Sequence, residues 1–463
     1  MLNAIGLVLA MVAVVVAVGK ISHRIGPPDA VLLTVVGLVC AVLPGPNLRL
    51  EPEVVLDVVL PPLLYHAALG SSLLAIRNRL RSVVSLAVLL VLATALTVGS
   101  LLFWLVSAVP LAAGVALGAA VAPPDPVAAL SVGRRAGLPS KLSTLIEGEG
   151  LLNDATALTT YQVAVAVAVG GGFSFGVAVG QLALAAVGGL VIGAAVALLV
   201  SLSRRVLTDP LSVNAVSLAT PFAAYSLGEA AHVSGVLAVV VAGLIVGHQN
   251  PRLQTGASRL QITAVWQLVN FLLEGFVFLL IGHRLPEVVR GLGAYSTAAI
   301  TTSAAVTVGA VLALRPLWLI SSQQVPRWLH SRLGSEYNGD NRDADQPLSG
   351  KEITALSWAG ARGVITLVAA FAIPLTTRTG EAFPARDLLL FNAYLLVLVT
   401  LLGQGVTFAP LLRRLGLRAN ILDQARLRNQ ARAAAVDAAW PAWTSSPTKT
   451  GCPNRSPRTS GAA

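Results

Sequence analysis

The chain has 463 residues, 55% of them hydrophobic and 11% charged, with a formal net charge of +11. A water-soluble domain carries roughly 25% charged residues, so this composition excludes a fully solvated surface and sets most of the chain against lipid. The basic excess does not point to nucleic acid, because Lys and Arg are spread over short polar breaks and a tail.

The mean hydropathy of +0.77 agrees with a polytopic, all-α membrane protein. Cys40 and Cys452 form neither a disulfide framework nor a metal site. The apolar stretch Met1–Gly19 has no basic residue ahead of it, and Lys20 and Arg24 follow it. It is read as a retained first helix and not as a cleaved signal.

A membrane-spanning helix needs about 20 apolar residues. Runs of that kind lie near 2–19, 29–45, 53–74, 81–108, 110–131, 140–170, 176–203, 209–229, 233–249, 260–284, 293–322, 351–375 and 387–413, which predicts about 13 transmembrane helices. The breaks at 107–110 and 230–233 are the weakest. With the N-terminus outside, inward loops carry 16 basic residues and outward loops 5, and the tail after residue 412 adds 9 on the inside. That bias predicts an N-out, C-in protein of the cell membrane with an odd helix count. The stretch 323–350 is expected as a long polar loop. Residues 1–415 are expected to form the transmembrane domain. Residues 416–463 are expected to be a short cytoplasmic tail, partly disordered.

Charges inside apolar runs are costly and mark function by default. Arg315 and Arg362 are the two basic residues so placed, and Asp57, Asp125, Glu147, Glu149, Asp154, Glu229 and Glu274 are their acidic counterparts. Two runs are also interrupted. The fifth contains Ala122-Pro123-Pro124-Asp125-Pro126, which cannot be continuous helix. The twelfth contains Trp358-Ala359-Gly360-Ala361-Arg362-Gly363. If residues 1–170 and 209–413 are two six-helix repeats joined by a linker helix over about 176–203, each interruption falls in the fifth helix of its repeat. The repeats start on opposite sides of the membrane, so they are inverted. Matching interruptions point to an alternating-access site. Half-helix ends favour an acid at the positive end and a base at the negative end, and Asp125 and Arg362 supply one of each. Simple proline and glycine kinks are the plainer reading.

The sixth run holds Glu147-Gly148-Glu149-Gly150-Leu151-Leu152-Asn153-Asp154-Ala155. Glu149 and Asn153 share a helix face, and Asp154 stands about 100° further round. A desolvated carboxylate at Asp154 can hold a proton or a cation but not both, which is the minimum requirement for exchange. Asn153 adds a neutral amide beside it. Glu149 has Arg315 as its natural partner, in a structural ion pair, with direct ion handling as the alternative for Glu149.

These motifs resemble the NhaP/NHE-type monovalent cation:proton antiporters, the cation:proton antiporter-1 family, over roughly residues 5–412. The resemblance rests on Leu60-Pro61-Pro62-Leu63-Leu64-Tyr65, Asp125-Pro126-Val127-Ala128 and, most specifically, the 147–155 string. It also rests on Tyr225, Glu229 and Ser234–Ala238, on Phe278–Gly282, and on Gly360-Ala361-Arg362-Gly363. It implies the NhaA/NhaP-like antiporter fold and a homodimer in lipid. It implies exchange of a monovalent cation, with Na+ favoured, for H+. Asp154, Asn153 and Asp125 would be the ion- and proton-binding residues, with Asp154 and Asp125 holding the cation. Glu149–Arg315 would be the ion pair between the sixth and eleventh helices, and Arg362 the counterpart of Asp125. An Asn-Asp pair goes with electroneutral exchange. K+/H+ exchange at the same residues is the alternative; a sensor or channel is a further one. No cofactor and no nucleic acid is implied, and the chain would be a secondary transporter rather than an enzyme. Three positions depart from the family pattern. His66 stands where an acid is common, Gly150 where Ser is common, and Pro124 where Thr or a small residue is usual. His66 reads either as a packed side chain or as a group that tunes the pH response.

Overall fold

The computed structural model describes residues 2–25, 29–42, 55–126, 129–130, 132–133, 137–170, 175–207, 209–253, 256–333 and 348–417, with 429 and 433. Among them the chain is helical throughout apart from turns and one isolated bridge between Thr376 and Ala382. The helices up to Leu417 form one compact unit, Met1–Leu417. The expected tail lies almost wholly outside the described residues.

The helices are α1 (Leu2–Ile25), α2 (Asp29–Val42), α3 (Leu60–Gly70, entered through a π turn at Val55–Val59) and α4 (Leu73–Asn78). Next come α5 (Leu80–Leu105), α6 (Leu111–Val121), α7 (Ser140–Ala168), α8 (Phe175–Val206) and α9 (Pro210–Ala230). Then follow α10 (Gly235–Leu253), α11 (Gly256–Gly291), α12 (Thr297–Leu333), α13 (Gly350–Trp358), α14 (Val364–Phe371) and α15 (Arg386–Leu415). Among the described residues, five stretches are long and apolar enough to cross a membrane by length and composition: Leu80–Leu105, Ala183–Val206, Ser258–Ala294, Thr297–Ser322 and Arg386–Leu415. Shorter apolar helices accompany them, among them Asp29–Val42 and Gly235–Asn250.

Local chemistry explains several boundaries. Asp209 caps α9 by accepting from the Ser212 backbone N–H at 2.9 Å; that bond holds its carboxyl below the usual range. Ser349 and Glu352 close a capping box at the start of α13. The weak breaks at 107–110 and 230–233 are true gaps, between α5 and α6 and between α9 and α10. Two expectations are corrected. Helix α12 runs on to Leu333, so the polar stretch begins about ten residues later than its composition suggests; a helix can continue past the membrane because its backbone bonds are satisfied internally. The break between the third and fourth runs holds a short helix, α4 (Leu73–Asn78), with Arg79 alone between it and α5.

Packing relies on backbone contact rather than side-chain bulk, as is usual where lipid tails are as apolar as the helices. Helices α2 and α11 meet at Gly37 and Gly282. A methyl group on Gly282 would lie 1.9 Å from the Thr34 carbonyl oxygen, and one on Gly37 would lie 2.0 Å from that of Leu279. Aromatic groups lock the neighbouring helices. Tyr65 of α3 packs on Trp266 of α11 with centroids 5.3 Å apart, and the Trp266 indole donates to Ser217 of α9 at 3.1 Å. By contrast, α8 presents Leu184, Val187, Leu198 and Leu199 to its surroundings. Gly282→Ala should therefore lower the thermal unfolding midpoint in detergent, measured by fluorescence-detected size exclusion. Ala at the open position Gly309 should leave it unchanged.

Candidate functional site

Helix α7 is buried on nearly every face from Leu142 to Tyr161, so it sits inside the bundle. Its two glycines each cost about 1 kcal/mol of helix propensity relative to Ala, and neighbours account for both. A Cβ on Gly148 would come within 2.9 Å of Val83, and one on Gly150 would lie 2.4 Å from the ring of Pro126. The missing hydroxyl at Gly150 thus has a packing reason: Pro126 occupies the space a serine would need.

The two expected interruptions face each other. After α6 ends at Val121, residues 122–125 leave the helix; residues 359–363 do the same between α13 and α14. A backbone bond joins the two stretches, from the Asp125 N–H to the Ala361 carbonyl, at 2.7 Å. Arg362 lies at the C-terminal end of α6. Its Nε donates to the Val121 carbonyl at 2.7 Å, its Nη1 to the Gly360 carbonyl, and its backbone N–H to Thr400 Oγ1 at 2.9 Å. The Asp125 carboxylate lies over Gly363, at the start of α14, so closely that a Cβ there would stand 2.0 Å from Oδ2. The acid therefore sits at the positive end of one half-helix and the base at the negative end of the other. Among the described residues Arg362 is held by oxygens of the backbone and of a hydroxyl, not by a carboxylate.

Asn153 and Asp154 adjoin this crossing from α7. The Asn153 amide nitrogen donates to the Pro124 carbonyl at 3.4 Å. The proline at 124 thus still offers an oxygen, from the main chain. Asn153 is fully buried, and its Oδ1 has no partner among the described residues. Asp154 is 3% exposed, makes no hydrogen bond or ion pair among the described residues, and lies within electrostatic reach of Asp125. Two carboxylates and an unpartnered amide oxygen make a hard-oxygen set suited to a small cation or a proton.

Glu149, one turn before Asn153, belongs to a different arrangement. Both its oxygens accept from Arg315 of α12, one at 2.9 Å from Nη2 and the other from Nη1. Arg315 Nε donates to the Leu356 carbonyl of α13 at 3.0 Å. The guanidinium ties α7, α12 and α13 together, and Lys141–Glu352 joins the starts of α7 and α13 at 3.3 Å. His66 is not drawn into the crossing; it stacks on Trp266 at 6.2 Å.

Two residues escaped the sequence reading as parts of this site. Glu274 of α11 was visible as an intramembrane acid but without a role. It accepts from Asn270 at 2.7 Å and lies within electrostatic reach of Asp125; the Asn-Glu spacing of four was the available signal. Thr400 offered none, being a lone hydroxyl in an apolar run.

Removing one partner of a buried ion pair costs roughly 3–5 kcal/mol. Glu149→Gln should therefore lower the unfolding midpoint strongly, whereas Asp154→Asn, which deprives no partner, should leave it unchanged or raise it. Thermal unfolding of the two purified variants side by side checks this contrast.

Comparison with known proteins gives a consistent picture. The family described as sodium/hydrogen exchanger, transmembrane, matches residues 10–414. A Mycobacterium tuberculosis protein named as an uncharacterized Na(+)/H(+) exchanger is 34% identical over 445 residues, covering 93% of this chain and 79% of that protein. The sodium, potassium, lithium and rubidium/H(+) antiporter of Bacillus subtilis is 30% identical over 409 residues, 85% of this chain and 59% of that one. The solved structure of the sodium proton antiporter MjNhaP1 from Methanocaldococcus jannaschii at pH 8 superposes with a TM-score of 0.69 at 19% identity, covering 89% of this chain and 99% of that one.

Proposed function

The chain belongs to the sodium/hydrogen exchanger family, and from that premise we propose that it exchanges Na+ for H+ at Asp154, with Asn153 and Asp125 completing the site. It is a multi-pass membrane protein with the NhaP antiporter fold, and a secondary transporter rather than an enzyme. The observation that carries the site assignment is the state of Asp154: a buried carboxylate next to Asn153, whose amide oxygen has no partner among the described residues, and with no ion pair to a basic side chain among them.

A charge so placed needs a mobile partner, because the cost of an uncompensated buried ion is several kcal/mol. A proton or a monovalent cation meets that need, and each excludes the other. One carboxylate exchanging one for one moves no net charge, so the exchange is electroneutral. Asn153 contributes Oδ1 and, through Pro124, fixes α7 against the crossing. Asp125 and Arg362 neutralise the half-helix ends and keep them together as the site moves. Glu149–Arg315 holds the moving helices as one body. His66 lies in a packed wall rather than in the ion path.

The wider frame is proposed on the same footing. Residues 1–415 are the transporting domain, with about 13 spans in two inverted repeats, 1–170 and 209–413, and a linker helix near 176–203. The protein lies in the cell membrane with its N-terminus outside and its C-terminus inside, as the Lys and Arg bias supports. It is a homodimer. The exposed apolar faces of helices such as α8 are suited to lipid. K+ in place of Na+ is the second reading, favoured by the ions named for the Bacillus subtilis relative.

Everted vesicles with an acid interior and a pH-sensitive dye test the proposal. Dequenching on addition of Na+, or of K+ under the second reading, should occur in wild type and vanish in Asp154→Asn. Correctly inserted wild type giving no response to Na+, K+ or Li+ would overturn exchange and favour a sensor or channel.

A further inference from the structure

A cavity of about 50 Å³ lies beyond Asp154 along α7. Its wall includes Leu158, Thr159, Tyr161 and Gln162 of α7, Tyr225 and Glu229 of α9, the start of α10, and Ala369 and Ala372 at the end of α14. Leu158 and Tyr161 stand four and seven residues past Asp154, on the same helix face. The cavity therefore approaches the carboxylate from the side of the membrane that holds the C-terminal end of α7. The turn around Thr376–Ala382 marks that side too, since the Arg378 N–H donates to the Val169 carbonyl at 3.0 Å.

The lining has a definite polarity. Among the described residues Glu229 is its one carboxylate, and it is exposed. Asp57, entering α3, is within electrostatic reach of Glu229 and of Tyr225. Among the described residues no Lys or Arg lines it; His232 lies within electrostatic reach of Glu229, and Arg386 within reach of Tyr161. Within the wall, the Tyr161 hydroxyl is buried with no hydrogen-bond partner among the described residues, on a residue 6% exposed. A buried hydroxyl left unpaired costs about 1–3 kcal/mol, so an occupant that supplies a partner there is favoured: water, or a cation with its water. Glu229 brings a negative charge to the exposed edge, the wall carries the hydroxyl-bearing Thr159, Tyr161 and Ser234, and Leu158 on that wall stands about one helical turn past Asp154 on α7.

We propose that this cavity is the entry chamber for the cation on that side, with Glu229 as the residue that draws monovalent cations into it before they pass to Asp154. This rests on Asp154 being the exchange site, and under the N-out orientation the chamber faces outside. A cleft walled by low-dielectric protein and carrying one sign of charge concentrates counter-ions and speeds their capture. Glu229 thus acts on access and not on the exchange step, so its loss should fall on apparent affinity from one side alone.

Two sets of measurements test this in the full-length protein with Cys40 and Cys452 replaced by Ala. In intact cells a membrane-impermeant maleimide should label both Thr379→Cys, which marks the side, and Gln162→Cys, which lines the cavity. In right-side-out vesicles Glu229→Gln should raise the half-saturating external Na+ roughly tenfold, the low end of what a charged cleft provides, with the maximal rate kept. In everted vesicles the half-saturating concentration should not change. Labelling of Thr379→Cys without Gln162→Cys would overturn the proposal. So would an unchanged half-saturating concentration on both sides, or an equal shift on both. If Thr379→Cys is reached only from inside, the orientation is wrong; the chamber then stands if Gln162→Cys and the affinity shift follow it to that side, and falls if they do not. Loss of all transport in Glu229→Gln, with normal insertion, would make Glu229 part of the exchange step and overturn its role as an entry residue.

Discussion

A charge in an apolar interior must be met by another charge, by dipoles or by something that can come and go. The charges at the centre of this protein are met in different ways. Arg315 and Glu149 meet each other. Arg362 is met by the carbonyl end of α6 and Asp125 by the amino end of α14. Asp154 is the exception, buried with no such partner among the described residues. The rest of the site is organised around that difference: fixed charges are compensated so that they hold the scaffold, and one is left for a mobile ion.

The scaffold makes the difference possible through very close backbone approach. Asp125 can lie against the start of α14 because Gly363 has no side chain. Pro126 can lie against α7 because Gly150 has none. The Asn153–Pro124 bond then sets α7 directly against the interrupted stretch. Each contact sets one side chain, the Asp125 carboxylate, the Pro126 ring or the Asn153 amide, against main-chain atoms of its neighbour, so one half of every contact is held by the backbone. The Arg315 fork joins α7 to α12 and α13 at a second level, about one helical turn away along α7.

Much of this was legible in the sequence because lipid makes polar residues conspicuous. Three prolines around Asp125 and the glycines flanking Arg362 announced both interruptions, and Glu149 and Arg315 were paired from their isolation in apolar runs. What could not be read was contact across the bundle. The reason for Gly150 lies in Pro126, which no local pattern connects to it. Pro124 stands where Thr or a small residue is usual, and only the fold shows its carbonyl facing Asn153. The end of α12 was misplaced because polar composition marks where the membrane stops, not where the helix does. Thr400 carried no signal at all, since a single hydroxyl in an apolar helix most often bonds its own backbone, as this one also does.

The central claim is that one site, Asp154, holds either a proton or a cation. Calorimetric titration of the purified protein with Na+, repeated in buffers of different ionisation enthalpy, counts protons released per cation bound. The account predicts one proton released per Na+ in wild type, with both binding and release lost in Asp154→Asn. Cation binding without proton release, or binding and release that survive Asp154→Asn, would contradict it.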